Sequence, residues 1–518
     1  MKKKWLYNYE DAENIASQLN ISENIAEILN KRFDGDLDRI KEFVNAKDQK
    51  PYHASLLKDI DKASNAIIEA IEKDKSIVIY GDYDVDGTTG ISILLDALDR
   101  LGAKNLDYYI PNRREEGYGL NIPAVEKLAK DHDLMITVDL GITADKEINR
   151  VKDLGMDTIV TDHHKLQDEH FPENALAVVN PKQGEYPYGE ISGCVVALKL
   201  AERIYQIKSG DDNFRFRNHY LDLATLSIIA DRVPLMDENR AIVKKQLSQL
   251  YETGNLGLYT LLDKVGKTKG DIVSTDVGYM IGPRINACGR MAEADIAVEL
   301  FTTQDELKAS RLVAKMERLN NERKKIVDEQ TEKAKKIIEE KKLYKNRIIV
   351  VHSEPFDSSL AGIVSSRVTG EYHRPSLILN QKTGVGSARS IEGVSIFDAL
   401  SECEDILEEF GGHDMAAGLT VKPDNFTELR TQLNEWAKDL EDELFVPKIH
   451  IDSKVPLYDA SLALIEELDI LRPFGEANPE PKFQSNNLKV LNIQYMGSDD
   501  KHVKLTIQKK IFLKIKII

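Results

Sequence analysis

Cysteine is scarce in this chain: Cys194, Cys288 and Cys403 are the only three in 518 residues, and none stands in C-x-x-C spacing. That excludes a disulfide framework and a thiolate zinc site, and it fits a reducing cytoplasm. Long apolar runs are missing too. None approaches the ~20 residues needed to span a bilayer, and in MKKKWLYNYEDAEN polar and acidic residues arrive before an apolar signal segment could form. A cytoplasmic protein with no membrane partner is expected. Positive charge is also short: 70 Lys and Arg face 87 Asp and Glu, a net charge of −17. This argues against a protein that coats nucleic acid by bulk electrostatics. It leaves room for an enzyme with a local basic groove, or one whose bound cations supply the positive field. The length exceeds what one core supports, so two to four domains are expected.

What the chain does have is concentrated in Ser76–Gly90, SIVIYGDYDVDGTTG. The β-branched run Ile77, Val78, Ile79 stops at Gly81, and Asp82, Asp84 and Asp86 follow at alternate positions. Carboxylates this close repel unless a cation compensates them. A strand end bearing them is therefore a candidate divalent-metal site, the alternative being a solvated Asp-rich turn. The D-x-D-x-D-G spacing also opens a calcium loop. That pattern needs a bidentate Glu at its twelfth position, which falls on Ile93, and a helix before it where this chain has a strand.

The first 75 residues mix polar and apolar positions at helical spacing, an N-terminal lead-in packed on the next domain. From Ser76 the pattern is strand, motif, helix, repeated. Thr88 or Thr89 starts a helix with Ile91, Leu94, Leu95 and Leu98 on one face; LDYYI, LMITVD, DTIVTDHH and LAVVN supply further strands. Such alternation predicts a parallel sheet with helices on both faces. Ligands bind at the carboxyl ends of its strands. Asp82/Asp84/Asp86, Asp139, and Asp162-His163-His164 all follow strands, so they are expected to converge. A helix ending at Asp231 before Pro234 offers one more acid. GPRINACGR reads as a loop, with a structural turn and a phosphate contact left as alternatives. A long charged helix over 305–342 leads to a second α/β unit carrying GSARS and FGGHDMAAG, whose glycines let backbone approach a phosphate beside Arg389 and His413. Past Val446 about three strands suggest a β-containing module.

Taken in order, GDYDVDG, PNRREEGYGL, VDLG, TDHH, ADRVPL, GPRINACGR, GSARS, FGGH and RPFGEANPEP resemble the DHH phosphoesterase family, and within it the single-strand-specific exonucleases. The match runs from about Ser76 to Lys482. The resemblance implies two divalent cations, manganese or alternatively magnesium, held by Asp84, Asp86, Asp139, His163 and Asp231. Asp139 would bridge them, with Asp82 close by. His164 would face the scissile phosphate, and Asp162 would orient a histidine. Arg113, Arg284, Asn286, Arg290, Ser387, Arg389, Ser390, Gly411, Gly412 and His413 would hold the substrate. The implied activity is 5′→3′ removal of nucleotides from single-stranded DNA in repair and recombination, by a monomer working beside a helicase and a single-strand-binding protein. A relative cleaving short oligonucleotides or cyclic dinucleotides, and an inactive DNA-binding relative, are the alternatives. Leu140 stands where the family commonly has Asn or another small residue, and Arg232 where an apolar residue is usual.

The expected architecture is α/β: a lead-in (1–75), a parallel-sheet DHH domain (76–304), a connecting helix (305–342), a second α/β, DHH-associated substrate-binding domain (343–445) and an incomplete OB-like module (446–518). The closing KKIFLKIKII reads as a shortened or frame-shifted tail, a natural edge strand being the alternative. On this reading, removing residues after about Val446 costs activity little.

Overall fold

Every residue of the strands Ile77–Gly81 and Leu134–Val138 is buried, as a parallel sheet covered on both faces requires. The structure, a computed structural model, describes residues 3–8, 12–113, 115–215, 219–267, 272–291, 293–354, 356–496, 502–509 and 514–517. It sets these two strands in a five-stranded parallel sheet. The spatial order is Leu106–Tyr109, Ile77–Gly81, Leu134–Val138, Asp157–Thr161, Ala177–Val179. The register pairs Gly81 with Val138 and Val138 with Thr161, so Asp82, Asp139 and Asp162 follow one row across three adjacent strands. On one face Val78, Met135 and Val160 pack with Val125, Leu128, Ile148 and Val151 of the helices Ile122–Leu128 and Asp145–Asp153. Leu140 is buried in the same cluster.

The helix after the first strand begins earlier than Thr88. It runs Val85–Arg100 with Asp84 as its N-cap, the carboxylate accepting from the amides of Asp86 (2.8 Å) and Gly87 (3.2 Å). Two unpaired amides of the first turn are thereby satisfied by an acid of the candidate site. Gly87 has no alternative here, because a Cβ would stand 2.3 Å from the carbonyl oxygen of Asp82. GPRINACGR is not a loop but the helix Gly282–Arg290, entered through a π turn at Val277–Ile281. Its glycines do not break it, since Gly282 and Gly289 stand at its two ends.

The segment 305–342 is one helix, Glu306–Glu340. Val327, Ala334 and Ile338 of its second half share a core with Leu360 and Val364 of the helix Ser358–Tyr372. The second sheet is mixed, in the order Leu407–His413, Ala416–Val421, Val385–Arg389, Ser376–Asn380, Ile349–Ser353. Only its last pair is parallel. Both sheets belong to one compact unit, residues 51–234 and 245–447.

A second unit gathers residues 3–50, 235–244 and 448–518. The N-terminal lead-in is therefore divided near residue 50, and its first part shares a unit with the C-terminal segment. Ile25, Ile28, Leu29, Phe33, Ile40 and Phe43 form a core with Leu471, Leu468, Phe474 and Phe483. The strand Lys4–Leu6 pairs in parallel with Lys448–His450. Arg240, fully buried, donates to the carbonyls of Phe43, Ile470, Leu471, Arg472 and Pro473, and lies 3.5 Å from the Phe43 ring centroid. Leu488–Met496, His502–Lys509 and Lys514–Ile517 make a three-stranded antiparallel sheet; among the described residues no five-stranded barrel closes. No described helix is long and apolar enough to cross a membrane.

Candidate metal centre

Three groups of ligand atoms lie within 4.8 Å of one another: Asp82, Asp84 and Asp139; Asp139, His163 and His164; Asp86, His163 and Asp231. Asp139 belongs to two of them, as a residue between two cations would. It holds its place at a left-handed backbone angle, φ +61°. Gly193 presses on it: a Cβ there would come within 2.7 Å of the Asp139 Cβ. His163 Nε2 stands 3.1 Å from Asp139 Oδ1 and 3.6 Å from both Asp86 Oδ2 and Asp231 Oδ2. Neighbouring ligands of an octahedral ion with bonds near 2.1 Å are about 3 Å apart. His163 Nε2 is therefore within ligand-to-ligand reach of all three carboxylate oxygens.

The electrostatics of the cluster ask for positive charge. Burial, then the charge of Asp84, pushes the Asp82 carboxyl up to about 8. Burial, then Asp86 and Asp84, does the same to Asp231, also to about 8. Asp139 is held well above the usual range by burial, then by Asp86 and Asp84, and Asp84 is raised by burial and Asp86. Burial lowers the His163 imidazole. Asp82 Oδ1, Asp139 Oδ1 and His163 Nε2 are buried without a hydrogen-bond partner, a state that is costly unless something absent from the chain completes it. The donors are carboxylate oxygen and imidazole nitrogen with no thiolate, which suits magnesium or manganese. The residues present thus fit a pair of hard divalent ions.

Asp162 is differently placed. Its Oδ1 accepts from the amides of His163 (2.7 Å) and His164 (3.1 Å) and faces His164 Nδ1 at 2.8 Å, while Oδ2 accepts from the Ile142 amide at 2.9 Å. Burial works to raise it, yet the charge and hydrogen bond of His164 prevail and hold it at about 2. Against the burial that would lower it, His164 is raised in return to about 9 by Asp162, with its ring 41% exposed. A fixed, positive imidazole at the mouth of an acid cluster is the outcome.

The sites suggested for substrate sort into two sets. Arg113 donates to the Tyr83 hydroxyl and lies over its ring, 4.9 Å from the centroid. Arg290 and Arg389 are lowered first by burial; Arg113 and each other's charge add to it for Arg389, and Arg113 for Arg290. Arg113 and Arg290 thus lie close to Asp82 and Asp84, and Arg389 lies close to both arginines; Arg290 also donates to Ser359 O at 3.1 Å, and among the described residues none of the three forms a carboxylate ion pair. Cross-strand register places Arg389 opposite Ala416 and Ala416 opposite His413; likewise Ser387, Gly418 and Gly411 form a row. Directly opposed residues point to the same face, so Ser387, Arg389, Gly411 and His413 share one, His413 lying two strand spacings, ~10 Å, from Arg389. Gly411 and Gly418 leave open space there. Gly412, at φ +148°, serves the hairpin, with Ala416 O within 2.3 Å of a would-be Cβ.

Three residues are engaged elsewhere. Arg284 forms a two-point ion pair with Glu317 (2.6 and 3.2 Å) and donates to Met280 O. Asn286 Oδ1 accepts from the amide of Val85 at 3.0 Å, bracing the backbone between Asp84 and Asp86. Ser390 is buried and gives its hydroxyl to Val394 O. The sequence did not single out Gly193, Ser192 and Ser227, which surround Asp86. Only the S-G-C start of a helical run hinted at an N-cap.

Residues 76–228 match the DHH family N-terminal domain, 345–439 the DHHA1 domain and 451–518 the RecJ OB domain. A single-stranded-DNA-specific exonuclease RecJ of Bacillus subtilis (strain 168) is 38% identical over 98% of this chain, and this chain spans 64% of its length. The Haemophilus influenzae enzyme of the same name is 33% identical over 87% of this chain and 81% of its own. A crystal structure of RecJ in complex with Mn2+ from Thermus thermophilus superposes with a TM-score of 0.82 at 28% identity, covering 98% of this chain and 72% of that one. The corresponding Mg2+ complex gives 0.77 at 27% identity, covering 99% and 72%.

Proposed function

The chain belongs to the RecJ branch of the DHH family, and from that premise we propose that it is a divalent-cation-dependent exonuclease removing nucleotides 5′→3′ from single-stranded DNA. The observation that carries the reading is the convergence of the unpartnered Asp82 Oδ1, Asp139 Oδ1 and His163 Nε2 in a buried acid cluster, with Arg113 and Arg290 close by.

Asp82, Asp84, Asp86, Asp139, His163 and Asp231 would hold two cations, manganese or magnesium, with Asp139 shared between them. When bound, such a pair activates a water and stabilises the oxygens of an in-line displacement at phosphorus. The chain's own residues do the rest. Asp162 fixes His164 through Nδ1 and favours its protonated form, in which Nε2–H donates to a phosphate oxygen as charge builds there. Arg113, Arg290 and Arg389 grip strand phosphates through forked, permanently charged donors, and the open floor around Ser387, Gly411 and His413 lets the backbone lie close. Asn286 braces the Asp84–Asp86 segment, and Arg284 holds its helix to the Glu306–Glu340 helix. Because these contacts are to phosphate and sugar, sequence preference is expected to be weak.

The substrate must be supplied single-stranded, so a helicase and a single-strand-binding protein are fitting partners. Repair and recombination in the cytoplasm is the fitting setting. The test is a manganese-dependent assay on a 5′-labelled single strand, with blunt duplex and dinucleotides in parallel. Release of labelled mononucleotide from the single strand is expected. Preference for dinucleotides over the long strand would instead favour a short-oligonucleotide phosphodiesterase.

A further inference from the structure

Asp86 is the most enclosed acid of the cluster, with no solvent exposure of its side chain. Both of its oxygens are nonetheless engaged. Oδ1 accepts from the Cys194 amide at 2.7 Å and from the Ser227 hydroxyl at 2.5 Å. Oδ2 accepts from the Gly193 amide at 2.7 Å and stands 3.6 Å from His163 Nε2. Those two amides open the helix Gly193–Ser209, whose macrodipole adds positive potential at the same point. Ser227 comes from the helix His219–Ala230, four residues ahead of Asp231. A hydroxyl has one proton to give. Since Ser227 gives it to Asp86, the proton in the 2.5 Å contact between Ser192 Oγ and Ser227 Oγ comes from Ser192. The Ser192 oxygen in turn accepts from the Val195 amide at 3.4 Å. Every hydrogen bond from Val195 through Ser192 and Ser227 to Asp86 then has a fixed direction.

Two donors occupy Oδ1, so the lone pair left facing His163 and Asp231 is on Oδ2. We propose that Ser227, backed by Ser192, is a positioning residue that turns Asp86 so that Oδ2 alone meets the cation shared with His163 and Asp231, and so sets the affinity of that one position. The inference rests on the metal reading above and adds which oxygen binds and what aims it. Without the Ser227 hydroxyl the Cys194 and Gly193 amides still hold one oxygen each, but Oδ1 regains a lone pair that competes with Oδ2 for the cation. Groups that orient a metal ligand from behind typically contribute about 10–100-fold in metal affinity. The second cation position, built on Asp82 and Asp84, has no contact with Ser227 and is unaffected.

The test is titration of the intact protein with Mn2+, reading free ion by electron paramagnetic resonance, together with single-strand binding in EDTA. Ser227→Ala should weaken one Mn2+ equivalent by about 10–100-fold and leave the other and strand binding at the wild-type level. Ser192→Ala should weaken the same equivalent by less. Wild-type Mn2+ binding in both variants overturns the proposal, as does strand binding that falls in step with metal affinity. A wild-type protein that takes up no Mn2+ overturns the metal reading itself, and shows before any variant is made.

Discussion

Withdrawing cations from the acid cluster should make the protein's stability depend on pH in a direction the structure dictates. Asp82 and Asp231 are pushed from 3.8 to about 8 in the native chain. They keep their protons where the unfolded chain has lost them. A carboxyl of this kind contributes nothing unfavourable below its unfolded value, and costs more with each step of pH up to its folded value. At neutral pH the cost is roughly 4 kcal/mol for one such group, three pH units at about 1.4 kcal/mol each. The two acids share a cluster and their costs overlap, so the single-group figure serves for both. Bound cations take the place of those protons and remove the penalty. Thermal melts in EDTA and in Mn2+ at about pH 5 and about pH 8 measure it. The gap in Tm should widen by roughly 5–10 °C at the higher pH, taking about 2 °C per kcal/mol for a unit of this size. An equal gap at both values, or an EDTA form that gains stability over this window, would refute the account of the cluster.

Asp139→Ala should abolish hydrolysis while single-strand binding in EDTA survives, because binding rests on phosphate contacts; equal loss of both would make Asp139 structural. Arg389→Ala should weaken binding to a long strand and reduce the salt slope by about 0.7, the value of one single-strand phosphate contact, with dinucleotide hydrolysis less affected. An unchanged slope would remove Arg389 from the strand path. Arg284→Ala should leave that slope alone and lower stability by about 1–3 kcal/mol, since Glu317 loses a partly buried two-point partner; a slope change equal to that of Arg389→Ala would return Arg284 to the phosphate site. Arg240→Met strands the carbonyls of Phe43, Ile470, Leu471, Arg472 and Pro473, at a cost of at least ~3 kcal/mol. It should open residues 3–50 and 448–496 to limited proteolysis, and wild-type resistance there would show that the packing of Phe43 and Leu471 suffices alone.

What could be read from the sequence follows from the range of the interactions involved. The parallel sheet and its row of acids were legible because each strand is a short apolar run that ends on its own acid, and strand register carries Asp82, Asp139 and Asp162 to one edge. Asp162 beside His164 was legible for the same reason, with partners two residues apart. The setting of Asp86 was not. Its donors lie 107, 108 and 141 residues away, and nothing local distinguishes Ser227 from any serine on a buried helix face. Arg284 and Arg290 show the limit from the other side. Both are arginines in one motif with the same helical environment, yet Glu317 engages the first and among the described residues no carboxylate engages the second. That difference is set on the Glu306–Glu340 helix, outside the motif.

The ends of the chain make the same point about domains. A lead-in of helices and a late β-containing module read as separate attachments, because neither shows where its apolar face goes. In the structure, Ile25, Leu29 and Phe33 meet Leu468, Leu471 and Phe483 in one core, and Lys4–Leu6 finds its strand partner at Lys448–His450. Arg240, from a segment between them in sequence, ties Phe43 to Ile470–Pro473. Removing residues after Val446 therefore does more than shorten a β-module. It takes away one wall of the core that buries the first helices, and apolar faces exposed in that way favour aggregation. A deletion that costs activity little, as the sequence suggested, would require those helices to find another partner. The protein to express for any assay of this chain keeps both ends.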